Sequence, residues 1–304
     1  MKKNVLISGG SGFVGNHLTN LLLSNGYTVS ILSRSERQNK KDIFYYKWDV
    51  AKQFIEEEAV LKADYIIHLA GENIAEKRWT AKRKAAIIDS REKSAQLLYI
   101  VLKKHYKKLD AFASASAVGY YGAVNGQEIC SEDDAPANDF LGYACQKWED
   151  SIDFIENLNI RTVKIRTGLV MGRNDGFLKK LIPLFKYRLG SALGSGKQYM
   201  PWIHIDDLCG IYLKAIADNE MSGPYNAAVN DDTTNSIFSK TLARIFGYSI
   251  WLPNVPEFVL KIALGELSKI VLTGRRVLSD KIEQTGFEFK YTNLEEALKD
   301  CVKE

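Results

Sequence analysis

The stretch GGSGFVG, residues 9–15, decides how this chain is read. It follows the apolar run NVLIS (residues 4–8) and precedes NHLTNLLLSNG (16–26), where Leu18, Leu21 and Leu22 recur at helical spacing. That context predicts a strand, a glycine turn and a helix, the helix closing at Asn25-Gly26. In such a turn Gly9 permits the tight bend, Gly12 lets a phosphate approach the main chain, and Gly15 lets the helix pack close to the strand. Gly10, Ser11, Phe13 and Val14 fill the same turn, and the free N–H groups at the helix start attract a dinucleotide's diphosphate. The G-x-x-G-x-x-G spacing is one residue longer than the G-x-G-x-x-G form of two-domain dehydrogenases.

Further apolar runs predict further strands: YTVSILSR (27–34), ADYIIHLAG (63–71), LDAFASASAVGYYG (109–122) and NIRTVKIRTGLVMG (159–172). Between the later ones lie helical stretches at 81–106 and 143–158. Alternation of this kind calls for an α/β fold, a Rossmann-type doubly wound parallel sheet covered on both faces. Composition changes gently after residue 171, and no repeat or low-complexity linker interrupts the chain. We read residues 1–230 as a dinucleotide-binding domain and 231–304 as a smaller C-terminal α/β substrate lobe, to which part of 172–200 contributes.

Composition removes several classes. The 304 residues carry 41 basic and 37 acidic side chains, a net charge of +4 too small and scattered to argue for nucleic acid. No apolar stretch approaches the roughly 18 residues of a membrane span, and the N-terminal run is too short for a signal peptide. Cys130, Cys145, Cys209 and Cys301 form no C-x-x-C pair and read as reduced thiols of a cytoplasmic protein. The four histidines are equally dispersed, so no metal-ligand spacing is present.

The end of the second strand selects the cofactor. An acidic residue there favours NAD, whereas an arginine pairs with the 2′-phosphate of NADP. The segment reads Ser33-Arg34-Ser35, which favours NADP over NAD. Asp49, ending the next extended run, is positioned to receive the adenine amino group. Leu69, Ala70 and Gly71 follow the ADYIIH strand and would let the nicotinamide half pass, with His68 packed beside that loop.

Tyr143 and Lys147 are four apart on a predicted helix, so they share a face. After a nucleotide turn, and behind a strand ending in serines, this pair resembles the Ser/Thr–Tyr–Lys triad of the extended short-chain dehydrogenase/reductase superfamily. HLAGENIAEKRW, SASAVGYYG, RTGLVMG, GSGKQYMPWIHIDDL, GPYNAAVND, LPNVPEFVLKIALGE and GFEFKY together resemble its atypical NAD-dependent epimerase/dehydratase-like members, which carry a C-terminal domain of unknown function. Relatives in that subgroup often lack the Tyr–Lys pair.

The resemblance implies that Lys147 favours the phenolate of Tyr143 and holds the nicotinamide ribose, while Tyr143 moves the proton of a substrate hydroxyl. Ser116 would steady the substrate oxygen, with Ser114 as the alternative. Arg166 and Trp202 are candidate substrate contacts. The implied activity is an NADP-dependent oxidoreductase, epimerase or dehydratase acting on a hydroxyl or carbonyl of a small, sugar-nucleotide-like substrate. The alternative is a non-catalytic NADP-binding redox sensor. A homodimer through the helices at 82–106 and 143–157 is a further family-based expectation.

Overall fold

The computed structural model of the protein describes residues 2–173 and 175–303. In chain order the first half comprises β1 (Asn4–Ser8), α1 (Phe13–Ser24), β2 (Thr28–Ser33), β3 (Ile43–Asp49), β4 (Phe54–Ile55), α2 (Glu58–Leu61), β5 (Tyr65–His68), α3 (Ala81–Lys104), β6 (Ala111–Ala117), β7 (Asn125–Cys130) and α4 (Phe140–Glu156). The second half comprises β8 (Thr162–Thr167), β9 (Leu169–Met171), α5 (Leu178–Lys186), β10 (Trp202–His204), α6 (Ile205–Ala217), β11 (Gly223–Ala227), α7 (Asn235–Ile245), α8 (Glu257–Leu264), α9 (Ser268–Leu272), β12 (Gly274–Val277), α10 (Asp280–Gln284) and α11 (Leu294–Val302).

The apolar runs become the central sheet, in the order β11-β8-β6-β5-β1-β2-β3-β4. Every pairing in it is parallel except that of the two-residue β4 against β3. Both faces are buried, as a parallel sheet requires. On one face α1 and α6 bring Leu18, Leu22, Ile211 and Ala215 onto Val5, Ile7 and Val163. On the other, α2, α3 and α4 bring Val60, Leu98, Val101 and Ile152 onto Leu6, Ile66 and Phe112. This is the doubly wound Rossmann-type sheet expected from the alternation of strands and helices.

Strand order reverses at β1, which has β2 on one side and β5 on the other. Open α/β sheets leave a crevice at the carboxyl ends of the strands on either side of such a reversal. Here the two walls are the glycine turn after β1 and the 69–71 segment after β5.

A separate apolar cluster joins α5, α7 and α11 through Leu178, Phe185, Phe238, Leu242 and Leu298. The C-terminal segment is fastened to the sheet-bearing part by β12 pairing with β7 and by Arg78, which donates to the Ile262 and Ala263 carbonyls at the end of α8. Lys84 of α3 forms an ion pair with Glu266.

Candidate functional site: a crevice at the strand carboxyl ends

Gly9 takes φ +75°, and an added Cβ there would meet the Leu69–Ala70 peptide at 3.0–3.1 Å. Only a residue without a side chain adopts that bend at that distance at no steric cost. At Gly15 a Cβ would stand 2.5 Å from the Gly9 carbonyl oxygen and 2.6 Å from the Gly10 Cα, so helix and turn touch backbone to backbone. Gly12 differs: a Cβ there would meet a single neighbour, the Gly9 oxygen at 3.3 Å, and would otherwise face open space.

Gly12 is also the N-cap of α1, and no side chain caps that helix. Thr80, Asp139, His204, Thr234 and Asn293 cap α3, α4, α6, α7 and α11, while α2, α5, α8, α9 and α10 share the lack of a side-chain cap but not the glycine turn. The first N–H groups of a helix need acceptors, and the positive end of its dipole favours an anion. At α1 both demands are left for a ligand, and the bare turn makes room for one. The residues present therefore fit a dinucleotide diphosphate.

Along the other edge, Arg34 follows β2 directly, is exposed, and makes no hydrogen bond or ion pair among the described residues. Ser33 is buried and bonds the Ser35 backbone in both directions, which fixes the turn carrying Arg34. Asp49 ends β3 half-buried and accepts from the Lys52 amide at 3.1 Å.

The opposite wall is held by His68. Ala70 N–H donates to Ser8 Oγ at 3.3 Å, and Ser8 Oγ lies 2.6 Å from His68 Nδ1. On the other side His68 Nε2 lies 3.2 Å from Ser94 Oγ, which donates to the Arg91 carbonyl. With Ser94 committed as donor, the ring donates from Nε2 and accepts at Nδ1 from Ser8. The histidine is thus neutral, and burial, reinforced by nearby Arg91, pushes its pKa down to about 3. It is a fixture of the 69–71 segment, as expected for a histidine packed beside the loop.

Two model matches decide the kinship. Residues 5–228 match the NAD dependent epimerase/dehydratase family and residues 255–301 a domain of unknown function, DUF1731. The chain belongs to the NAD-dependent epimerase/dehydratase family. It is 36% identical over 301 residues to the epimerase family protein YfhF of Bacillus subtilis, covering 98% of each chain. It is 35% identical over 305 residues to an epimerase family protein of Staphylococcus aureus, covering 99% of this chain and 100% of that one. Among solved structures it resembles the human epimerase family protein SDR39U1 with NADPH, at TM-score 0.86 and 29% identity over 98% of both chains. A UDP-glucose 4-epimerase from Thermotoga maritima with UDP-glucose, 20% identical at TM-score 0.79, shares the fold.

Within this epimerase-family chain no hydrogen bond or ion pair among the described residues links Ser116 to Tyr143 or Lys147. On α4 the buried positions are Leu141, Ala144, Cys145, Trp148, Ile152 and Ile155, an inward stripe at helical spacing. Tyr143, Lys147, Asp150 and Phe154 form the outward stripe, and Tyr143 is 49% exposed, with the Lys147 ammonium 5.7 Å from its ring centroid. The α4 residues that face the turn after β6 are Leu141 and Cys145, each within 3.6 Å of where a Gly119 Cβ would lie. The Cys145 thiol is pushed up to about 12 by burial, against the pull of Arg91.

Ser116 is buried and donates to Glu149 Oε1 at 2.6 Å. Glu149 in turn receives Arg166 Nε and Nη2, each at 2.9 Å. Arg166 also donates to the Tyr121 hydroxyl and the Glu132 carbonyl and stacks on the Tyr120 ring at 3.6 Å. Burial opposes its charge, yet Glu149 carries the net shift upward. Arg166, read from sequence as a substrate contact, is thus a buried structural cation. Trp202 is corrected likewise: it has no exposed surface and donates its indole N–H to Asp231 at 2.8 Å. Ser114, equally sealed, donates to the Ala115 carbonyl. Groups without accessible surface cannot meet a ligand unless the packing around them opens.

One wall escaped the sequence reading. The segment after β8 folds over the glycine turn, and a Cβ at Gly172 would fall 2.5 Å from the Phe13 ring. The glycines flanking LVM in RTGLVMG were the available signal. Among the described residues no cluster of metal-ligating side chains occurs, and no helix is long and apolar enough to cross a membrane.

Proposed function

We propose that the chain binds NADP(H) across the β1–β5 crevice and acts as an oxidoreductase or epimerase/dehydratase on a hydroxyl or carbonyl of a small, sugar-nucleotide-like substrate. The observation that carries this reading is the uncapped start of α1 behind an open Gly12, facing the wall at Leu69–Gly71. NADPH in the similar human protein supports the choice of cofactor, as does the unengaged Arg34 beside β2.

In this reading the α1 N–H groups hold the diphosphate, Arg34 takes the 2′-phosphate and Asp49 receives the adenine amino group. The Ser8–His68–Ser94 chain keeps the 69–71 wall in place, and Leu141 with Cys145 excludes water at the inner end. The bound nicotinamide supplies a hydride donor or acceptor.

The outward placement of Tyr143 and Lys147 favours a second reading, a protein that binds NADP(H) without turnover and senses its redox state. The two separate on one experiment. Purified protein is mixed with NADPH and a panel of carbonyl compounds and sugar nucleotides, and oxidation of the cofactor is followed. Turnover with any member supports the enzyme; tight binding with none across the panel supports the sensor.

A homodimer through α3 and α4 belongs to the same proposal. Ile100 and Phe154 are 46% and 58% exposed on those helices, and Tyr143 lies on the same stripe as Phe154. Sedimentation of the protein at micromolar concentration tests it, a monomer counting against it.

A further inference from the structure

A buried or half-buried guanidinium ordinarily has a carboxylate partner, because an unpaired charge away from water is costly. Arg166 obeys, giving its Nε–Nη2 edge to Glu149. Arg91 does not. It projects from α3 beneath the 69–72 segment, and its Cζ lies 3.1 Å from where a Gly71 Cβ would be, so the bare glycine makes its room. Nη1 donates to the carbonyls of Glu72 and Ile87, and the plane stacks on Trp148 at 4.5 Å.

Among the described residues no acidic side chain forms an ion pair with Arg91, and the neighbouring carboxylate of Glu72 is taken by Arg83 at 2.7 Å. Of the other groups it faces, His68 and Cys145 are neutral, and Arg83 is a second cation already held by Glu72. Nε and Nη2 have no hydrogen-bond acceptor, yet neither is sealed from solvent. This is the same edge that Arg166 uses, and it matches a carboxylate in two parallel hydrogen bonds.

The position of Arg91 argues for substrate over cofactor. The cofactor's anionic groups are assigned to the α1 start and to Arg34, at β1 and β2. Arg91 stands across the crevice, beside β5 and α4, where the uncharged or cationic nicotinamide half would lie. The geometry points to Arg91 as the receptor of a substrate carboxylate, so that the substrate class is a small hydroxy or oxo acid, or a sugar acid. This deepens the proposed function and rests on it.

The test uses oxamate, a small oxo-carboxylate mimic, and oxamide, its neutral amide. Binding is followed by tryptophan fluorescence, since Trp148 lies against the guanidinium, with and without saturating NADPH. We expect saturable oxamate binding, oxamide weaker by at least about tenfold, and an Arg91→Gln variant that loses roughly ten- to a hundredfold in oxamate affinity while NADPH affinity stays within about twofold. Equal binding of oxamate and oxamide, or none of either, overturns the inference. So does a variant that loses NADPH and keeps oxamate, which would assign the guanidinium to the cofactor. If the variant does not fold, the oxamate–oxamide comparison on the native protein decides alone. A native protein that takes oxamate selectively but binds no NADPH would refute the cofactor reading and leave Arg91 as an anion site.

Discussion

Ser116 gives its hydroxyl hydrogen to Glu149 at 2.6 Å, and that carboxylate is already clasped by Arg166. The serine closest to the end of β6 is thus spent on a buried ion pair. Ser116→Ala should destabilise the protein by about 1.5–3 kcal/mol, the value of one hydrogen bond to a charged group, and leave NADPH affinity unchanged. Glu149→Ala strands the Arg166 charge and should cost about 3–5 kcal/mol. Denaturant unfolding measures both, and a Ser116→Ala variant of full stability but lost turnover would return the serine to the chemistry.

Tyr143 lies on the outward stripe of α4, so Tyr143→Phe should alter turnover by no more than about twofold. A loss near a hundredfold, the scale of a removed general acid–base group, would place the phenol in the mechanism. The measurement is steady-state turnover on whichever substrate the panel identifies.

His68 sets a dependence of stability on pH. Its folded pKa, about 3, lies below the ordinary value of 6.5. A group depressed on folding contributes stability above its unfolded pKa, and that contribution is lost as pH falls from about 6.5 toward about 3. The unfolded chain then binds a proton that the folded chain refuses, at about 1.4 kcal/mol per pH unit, or about 2 kcal/mol by pH 5. Unfolding free energies between pH 7 and pH 5 should fall less steeply in His68→Asn, and an unchanged slope would contradict the neutral assignment.

Gly12 and Gly15 separate binding from folding. Gly15→Ala sets a Cβ against three backbone atoms at 2.5–2.8 Å and should cost about 1–3 kcal/mol of stability. Gly12→Ala meets one atom at 3.3 Å and should fold normally, yet its methyl occupies the path of the diphosphate and should weaken NADPH binding at least about tenfold. Thermal unfolding and cofactor titration of the two variants check the pair.

The sheet and its glycine turn were legible because their signals are local: apolar runs for strands, and a turn whose steric needs exclude side chains. The direction in which Tyr143 and Lys147 point was not legible, for a different reason. Spacing of four tells that Tyr143 and Lys147 share a face, and says nothing about which face. That information lay in the apolar stripe of Leu141, Cys145, Trp148, Ile152 and Ile155, whose burial turns the pair outward. Arg166 and Trp202 depend on partners far along the chain, Asn226 through Tyr121 and Asp231, which no short motif announces.

The most direct test is equilibrium titration of the purified protein with NADPH and with NADH, followed by cofactor fluorescence, alongside an Arg34→Ala variant. Binding should be saturable at one site per chain, with NADPH tighter than NADH by about tenfold or more through the charge-assisted contact to the 2′-phosphate, and that preference should collapse in Arg34→Ala. A protein that binds neither coenzyme saturably would contradict the cofactor reading.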